Sequence, residues 1–285
     1  MTIAATERPG VATPSEKLEA RLTRWSSPSG LTFNNEAARA AYQQRVQLFK
    51  DIIRLRKPER VPICPNVGFF VMAYAGITSE EAMYDYEKLG QAVRKFNTDF
   101  ECDTITSSII YGPGKLFELL DYKLYRWPGH GVPATTSYQC QESTYMRGDE
   151  YDTLIADPSS YFLHHYLPRI FGEFAPWLSM PAFTDIVELP MVGGAFVPFG
   201  LPEMQRTLTK LQEAGTAALE WINACTEIDN EIAGRQGLPS WIGGFSKAPF
   251  DTLGDTMRGT RGIMVDKFQR PDKILEAMER LVPLA

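Results

Sequence analysis

The hydrophobic positions between residues 36 and 55 recur every three to five places, the spacing of one buried face of a helix. Asn34 and Asn35 precede this run as capping residues, and Pro58 comes after it as a helix terminator. The pattern therefore predicts a helix over residues 36–55. Its buried face is predicted to consist of Ala37, Tyr42, Val46, Phe49, Ile52 and Ile53.

Helical and strand-like patterns alternate along the rest of the chain. Thr78–Glu81 is a helix N-terminal signature, with Ser79 or Thr78 as the cap, and the helix it opens extends to Phe96. Two more helices and four short strands are predicted, the helices over residues 159–178 and 201–235 and the strands over residues 60–67, 102–107, 122–127 and 241–245. This alternation predicts a parallel α/β architecture.

The first 33 residues differ in composition from the rest of the chain. Residues 1–33 contain several prolines and glycines, and we interpret them as a flexible N-terminal arm. Residues 34–285 are then predicted to form one domain, which is long enough to bury a sizeable core.

Charge and composition exclude several classes of function. The net charge of −6 argues against nucleic acid or an anionic membrane as the main partner, because either requires a basic face. No apolar run approaches the roughly 20 residues of a membrane span, and the N-terminus lacks the apolar core of a signal peptide. We therefore expect a cytoplasmic protein.

The metal-binding residue types are few and scattered. The four cysteines are widely spaced without a C-x-x-C pair, so spacing argues against a structural zinc site. We expect the cysteines to be reduced and buried. The chain also lacks a phosphate-binding loop, a G-x-G-x-x-G motif and a G-x-S-x-G motif.

The densest group of reactive side chains lies between residues 243 and 262. Asp251 and Asp255 are four positions apart, which on a helix places both carboxylates on one face, and Arg258 is within reach of Asp255. One interpretation is a catalytic carboxylate that faces a pocket and is held ionised by Arg258. The other is a helix start with a structural salt bridge, and spacing alone favours it.

Other candidates are chosen by the rule that the reacting groups of α/β barrels lie where strands hand over to helices. The rule selects Asn66, Asp103 and Phe245, which lie within or at the end of predicted strands, as candidate substrate-binding residues. His130 lies in a loop of turn-forming residues, and its imidazole is either a ligand or base, or a turn residue bonded to the backbone.

The residues from Trp241 to Leu281 resemble the uroporphyrinogen decarboxylase superfamily. The similar features are the Ala248–Leu253 turn, Gly259, the helix start Pro271–Leu275, the strand Arg60–Pro62 and the helix start Thr78–Glu80. The resemblance covers about residues 35–285, with an insertion over about residues 144–235. It implies a (β/α)8 TIM barrel, of which this chain would be the N-terminal portion, with a helical N-terminal arm.

The superfamily contains porphyrinogen decarboxylases and zinc-dependent methyltransferases that move methyl groups between corrinoid proteins and thiols. The decarboxylases carry an R-Q-A-G-R-Y segment where this chain has Asn66–Phe70, and a tyrosine where it has Asp255. A carboxylate there would repel an octa-acid substrate. The resemblance thus implies methyl or other one-carbon transfer. The alternatives are a decarboxylase for another substrate and a non-catalytic half-barrel with a binding role.

The zinc ligands of the methyltransferase branch, an H-x-C pair and a later Cys, belong to the second half of the barrel, and this motif is not in the chain. Because the chain ends at Ala285, we expect the C-terminal half to be missing. The open strand edge would then be covered by that half or by a second copy in a homodimer. The expected partners are a small-molecule substrate and a corrinoid protein. Zinc and a corrinoid are implied by the resemblance alone.

Overall fold

The computed structural model of the protein describes residues 13–181 and 188–284, and within them the chain is mostly helical with one small three-stranded sheet. The helices are α1 (Pro14–Ser26), α2 (Glu36–Ile53), α3 (Phe70–Ala75), α4 (Ser79–Tyr84), α5 (Tyr86–Asp99), α6 (Gly114–Leu119), α7 (Tyr151–Ala156), α8 (Pro158–Tyr161), α9 (Leu167–Ile170), α10 (Leu189–Gly200), α11 (Pro202–Gln236), α12 (Pro249–Asp251), α13 (Gly259–Gln269) and α14 (Pro271–Leu281). The strands are β1 (Tyr125–Pro128), β2 (Gly131–Val132) and β3 (Gln139–Cys140).

Shorter helical turns connect these elements. Two π-helical segments, Phe162–Tyr166 and Thr252–Arg258, continue α8 and α12. The 3₁₀ turns lie at Ser108–Tyr111, Gly172–Ser179 and Val282–Leu284.

The described part of the chain divides into two compact units. Unit 1 comprises residues 13–67, 93–108 and 225–241, and unit 2 comprises residues 68–92, 109–181, 188–224 and 242–284. Two long helices, α5 and α11, contribute to both units.

Unit 1 contains α1 and α2, which pack against each other. Residues 14–26 of the predicted flexible arm are helical, because Thr13 and Glu16 form a reciprocal capping box at the start of α1. The Trp25 ring lies 5.7 Å from that of Phe49, and the Tyr42 hydroxyl donates to the Trp25 carbonyl at 3.0 Å. The arm is therefore helical from Pro14, and residues 1–12 lie outside the described part of the chain.

Helix α2 confirms the prediction for residues 36–55 and ends two residues early. Asn35 caps it by accepting from the Ala38 amide at 2.8 Å. Tyr42 and Val46 are buried as predicted, whereas Ile52 and Ile53 are exposed at the end of the helix. Leu55 takes a left-handed backbone conformation (φ 56°), so the chain has already left the helix there.

Three of the four predicted strands are not strands in the described structure. The segments 60–67, 102–107 and 241–245 carry no regular ladder. Single backbone hydrogen bonds instead join them or their neighbours, from the Asp103 amide to the Ile63 carbonyl at 2.8 Å and from the Ile105 amide to the Pro239 carbonyl at 3.0 Å. Pro62 and Pro65 have no N–H, which removes two donors from any ladder in the first segment.

Two of the predicted long helices are broken. The helix expected over residues 79–96 begins as predicted, with Thr78 and Glu81 in a capping box, but Asp85 divides it. The Asp85 carboxylate accepts from the Lys88 amide at 3.0 Å and so caps α5 as a new helix. The helix expected over residues 159–178 is likewise divided, and Pro168 and Pro176 each remove an amide donor there. Helix α11 confirms the prediction over residues 201–235.

Unit 2 contains the sheet and a hydrophobic core. Strand β1 lies between β2 and β3 and matches part of the strand predicted over residues 122–127. Its pairing with β3 is antiparallel and places Tyr125 opposite Cys140. Most of the core side chains come from α7 to α9, the two π-helical segments, α13 and α14, and the full set comprises Leu124, Met146, Tyr151, Leu154, Tyr161, Tyr166, Ile170, Leu253, Met257, Ile263, Ile274, Ala277 and Leu281. This core fixes the segment that carries Asp251, Asp255 and Arg258.

Candidate functional site

A cavity of about 500 Å³ lies in unit 2 beside the segment that the sequence singled out. Phe245, Lys247 and Thr252 come from that segment and line the cavity together with residues of α8, its π-helical continuation and the C-terminal turn. The lining is largely apolar, and Lys247 is the cation on it. Phe245, predicted to bind substrate, therefore does border a cavity.

Asp255 lies on the π-helical segment and is exposed. Its Oδ2 is 3.0 Å from Lys247 Nζ, so the carboxylate is joined to a lysine that lines the cavity. Burial raises the pKa of Tyr125 and of Cys140, and the negative charge of Asp255 raises both further. Asp255 is thus also within electrostatic reach of the β1–β3 pair. Asp251 is exposed at the end of α12.

Arg258 does not pair with Asp255, which corrects the sequence prediction. It is buried, and its Nε donates to Asp266 Oδ2 at 2.5 Å, while Nη1 donates to the Met146 carbonyl. Asp266 also accepts from the Tyr151 hydroxyl at 3.0 Å and pairs with Arg270. Burial opposes ionisation of Asp266, but the hydrogen bonds from Arg258 and Tyr151 outweigh it and lower the pKa of this carboxyl.

The reason for this different pairing is the local backbone. Residues 252–258 form a π-helix, whose wider turns remove the i, i+3 relation that an α-helix would give Asp255 and Arg258. Gly259 then takes a positive φ of 71°, which starts α13 in a new direction and allows Asp266 to meet Arg258. Arg258 is consequently part of the core and not of the cavity surface.

His130 is held by a carboxylate and two aromatic rings. Its Nε2 is 2.5 Å from Glu118 Oε1, and its ring stacks on Trp127 with centroids 5.0 Å apart. The Tyr84 hydroxyl lies 3.3 Å from Nδ1, donates to Glu118 at 3.0 Å and accepts from the Trp127 indole at 3.1 Å. His130 also borders a polar cavity of about 520 Å³. Glu118, which fixes this ring, was not predicted from the sequence.

A third cavity, of about 400 Å³, is predominantly aromatic and was not predicted either. We call it the aromatic cavity. Its ring-bearing lining residues are Phe117, Tyr122, Tyr125, Trp127, Tyr138 and Phe171. Four of them lie within residues 117–127, and Tyr138 and Phe171 come from two later parts of the chain, so no single local motif reveals the whole set. An excess of aromatic residues in the middle of the chain is the signal that the sequence offers.

The remaining predicted site residues belong to unit 1. Asp103 is buried, and its carboxylate accepts from Arg60 at 2.5 and 2.6 Å and from the Ile63 amide at 2.7 Å. Burial opposes its ionisation, but the Arg60 guanidinium prevails and lowers the pKa of Asp103. Asn66 is exposed. Asp103 therefore ties segment 60–63 to segment 102–107, which is a structural role.

The described residues do not provide a metal site. Between residues 13 and 181 and between 188 and 284, no three His, Cys, Asp or Glu side chains are grouped so that they could hold a metal ion. All four cysteines are free, and Cys64 and Cys140 are exposed rather than buried as expected. The zinc that the resemblance implies therefore does not fit the residues described.

Comparison with known protein families, with curated proteins and with solved structures found no match for this chain. None of the helices in the described part of the chain is long and apolar enough to cross a membrane.

Proposed function

We propose that this chain is part of an enzyme of the uroporphyrinogen decarboxylase-like superfamily that transfers a methyl or other one-carbon group. The choice of group transfer over porphyrinogen decarboxylation rests on one observation. Asp255, an exposed carboxylate joined to a cavity-lining lysine, lies where the decarboxylases of that superfamily have a tyrosine. The resemblance of residues 241–281 supports the choice of family. The negative charge of Asp255 supports a substrate other than a porphyrinogen.

The charges around the cavity favour a substrate that is small and not polyanionic. Lys247, the cation that lines the cavity, is already paired with Asp255. A substrate with eight carboxylates would have to break this pair or approach Asp255 directly, and like charges at such distances repel. A neutral or cationic substrate meets neither obstacle.

The cavity beside Phe245 has the size and chemistry of a small-molecule site. Its volume of about 500 Å³ is within the usual range of such sites, and a largely apolar wall with few polar groups is their common composition. In this proposal Phe245 and Phe162 exclude water from the reacting group, and Asp255 and Lys247 orient it by charge. Because the described residues do not fit zinc, no step is assigned to a metal.

We also propose the finer fold, a (β/α)8 barrel of which this chain forms the N-terminal part. The backbone bond from Asp103 to Ile63 supports it, because it joins two regions where the sequence predicts barrel strands. The bond from Ile105 to Pro239 joins the second of these regions to residues just before the third. Amide hydrogen exchange tests this proposal. The amides of Asp103 and Ile105 should exchange slowly, at rates like those of the core helices, and rapid exchange at both would contradict it.

The transfer reaction is tested with methylcobalamin as donor and 2-mercaptoethanol as acceptor under anaerobic conditions. The methyl group leaves cobalt for the thiolate sulfur, so that the Co–C bond breaks, the S–C bond forms, cob(I)alamin remains and the thiol proton passes to the buffer. We expect the enzyme of which this chain is proposed to be a part to form the methyl thioether faster than a protein-free control, as measured by mass spectrometry and by the absorbance of methylcobalamin.

Matched variants connect this activity to Asp255. Asp255→Asn should lower the rate at least tenfold, which is the effect of removing a charge that orients the substrate. Asp272→Asn, an exposed aspartate on α14, should leave the rate unchanged. A folded enzyme that contains this chain together with the second half of the barrel and transfers no methyl group above background would overturn the proposal. Decarboxylation of uroporphyrinogen by the same preparation would overturn the charge argument and favour the decarboxylase alternative.

A further inference from the structure

The aromatic cavity combines many rings with an absence of formal charge. Its described lining consists of six aromatic side chains and of aliphatic and glycine residues from α6 and the preceding turn, with no Lys, Arg, Asp, Glu or His among them. Its volume of about 400 Å³ is sufficient for a small organic molecule.

The rings form a connected set around Tyr122. The Tyr122 centroid lies 4.9 Å from that of Phe171, 5.4 Å from that of Phe117 and 6.0 Å from that of Tyr125. Phe117 meets Trp127 at 68°, and Tyr125 meets Tyr138 at 86°. Tyr122 is stacked on Phe171 at 22° and Trp127 on His130 at 16°, so each of these two lining rings has one face covered and at most one face left for a ligand.

The phenol groups do not supply a negative charge at neutral pH. Burial raises the pKa of Tyr122 and of Tyr125, so both side chains are neutral. Any attraction for a cation therefore comes from the negative faces of the rings, which act within about 6 Å of the centroid. Metal ions and simple ammonium ions are strongly hydrated and need oxygen ligands, whereas an organic cation with apolar substituents loses little hydration in such a place.

The charged groups near the cavity do not give it a net sign. Asp255 acts electrostatically on Tyr125, one of the lining residues, and adds to the rise of its pKa, but this carboxylate is paired with Lys247 at 3.0 Å. Neither residue of the pair is among the lining residues of the aromatic cavity. The selection of a cation therefore rests on the rings.

We propose that the aromatic cavity is a binding site for organic cations that carry alkyl groups on nitrogen, quaternary ammonium compounds in particular. The site is defined by the faces of Tyr122, Tyr125 and Trp127, with Phe117, Tyr138 and Phe171 completing its wall. This binding does not depend on the proposed methyl transfer, and a binding measurement tests it without any turnover.

The test compares choline with its uncharged isostere 3,3-dimethyl-1-butanol on the wild-type protein, by calorimetry or by ligand-observed NMR. Choline should bind at least about tenfold more tightly, because desolvated cation–π contacts account for a factor of that size. Equal binding of the two compounds would show that the cavity selects apolar volume alone and would overturn the proposal. So would tighter binding of neutral indole than of choline, or the absence of choline binding.

Variants locate the site. Tyr138 is exposed, and Tyr138→Leu should weaken choline binding several-fold because it removes a ring from the wall, whereas Tyr138→Phe should retain it because the ring remains. Tyr125→Leu should weaken it further. Phe268→Leu is the matched control, since it removes an exposed ring of unit 2 that is not among the lining residues. If a leucine variant does not fold, the comparison of choline with 3,3-dimethyl-1-butanol on the wild-type protein still tests whether the cavity selects a cation.

Discussion

Each unit contains an arginine–aspartate pair, and the two pairs differ at the cation. Asp103 in unit 1 and Asp266 in unit 2 are both almost fully buried, and each lies 2.5 Å from a guanidinium nitrogen. The Arg60 side chain is 52% exposed, whereas that of Arg258 is 9% exposed. The same two residue types, at the same distance, therefore place one cation in water and the other in the core.

The difference shows that the exposure of the arginine determines how much stability is lost when its aspartate is removed. If the carboxylate is removed, Arg60 can return to water, but Arg258 is left buried with a formal charge and no counter-ion. The Lys247–Asp255 pair extends the series, because both of its side chains are largely exposed, at 41% and 60%. Of the three aspartates, Asp255 is the one that can change partners at little cost, which suits a ligand-binding role.

The largest expected effect is that of Asp266→Asn. The substitution leaves Arg258 buried beside a neutral amide, and we expect the free energy of unfolding to fall by about 3–5 kcal/mol. Urea denaturation measures it, with Asp272→Asn on the exposed face of α14 as the control. A loss below about 1 kcal/mol would mean that the burial of Arg258 does not set the stability of this pair.

The next effect is the pH dependence due to Glu150. Hydrogen bonds from Arg169 lower the pKa of this buried carboxyl from 4.5 to about 2, so its ionised form stabilises the folded state above pH 4.5. That stabilisation, on the order of 3 kcal/mol, is lost as the pH falls from 4.5 towards 2. Glu150→Gln should be less stable than the wild type at pH 7, and the gap should close near pH 2. A gap that is constant with pH would exclude this linkage.

Asp103→Asn should have an intermediate effect. Arg60 can be rehydrated, but the Ile63 amide and Arg45 lose a charged acceptor, and we expect a loss of about 2 kcal/mol. Denaturation at low and high salt gives the measurement. Glu36→Ala, which breaks the exposed Glu36–Arg39 pair, is the control and should change stability by less than about 0.5 kcal/mol. If Asp103→Asn lowered the free energy of unfolding as much as Asp266→Asn does, the exposure of the arginine would not explain the difference between the two pairs.

The smallest effect on stability is expected for Asp255→Asn. Both partners of this pair are hydrated, so the free energy of unfolding should change by less than about 1 kcal/mol, and by still less in 1 M NaCl. A loss above about 2 kcal/mol would assign Asp255 a structural role like that of Asp103, and would also remove the basis for using it as a functional probe.

Local signals in the sequence were sufficient for the helices that have their own caps. Asn35 and the Thr78–Glu81 capping box form the contacts that the sequence predicts, and the apolar period gives α11 over most of its length. The predicted strands depended on neighbours that the sequence does not identify. Residues 60–67 and 102–107 do not form a β-ladder, because two prolines in the first segment have no amide to donate. One backbone hydrogen bond and the Asp103 carboxylate join the two segments instead.

Sequence spacing identified residues beside a cavity but not how they are paired. Phe245 borders a cavity, and Asp255 is exposed and joined to Lys247, which lines it, while the predicted roles of both residues in binding or catalysis stay predictions. The predicted partner of Arg258 was wrong because α-helical spacing was applied to residues that form a π-helix. The aromatic cavity was missed because the sequence does not show that Tyr138 and Phe171 lie beside the rings of residues 117–127.

Because residues Thr252–Arg258 form a π-helix, the number of residues in this segment matters as well as their identity. A π-helix accommodates one residue more per hydrogen-bonded turn than an α-helix does. Deleting a single residue here would close the wide turns to α-helical pitch and change the directions in which the side chains of this segment point. The Arg258–Asp266 and Lys247–Asp255 pairs both depend on those directions. A one-residue deletion would therefore disturb the buried pair and the exposed pair together, which no single substitution at either pair does.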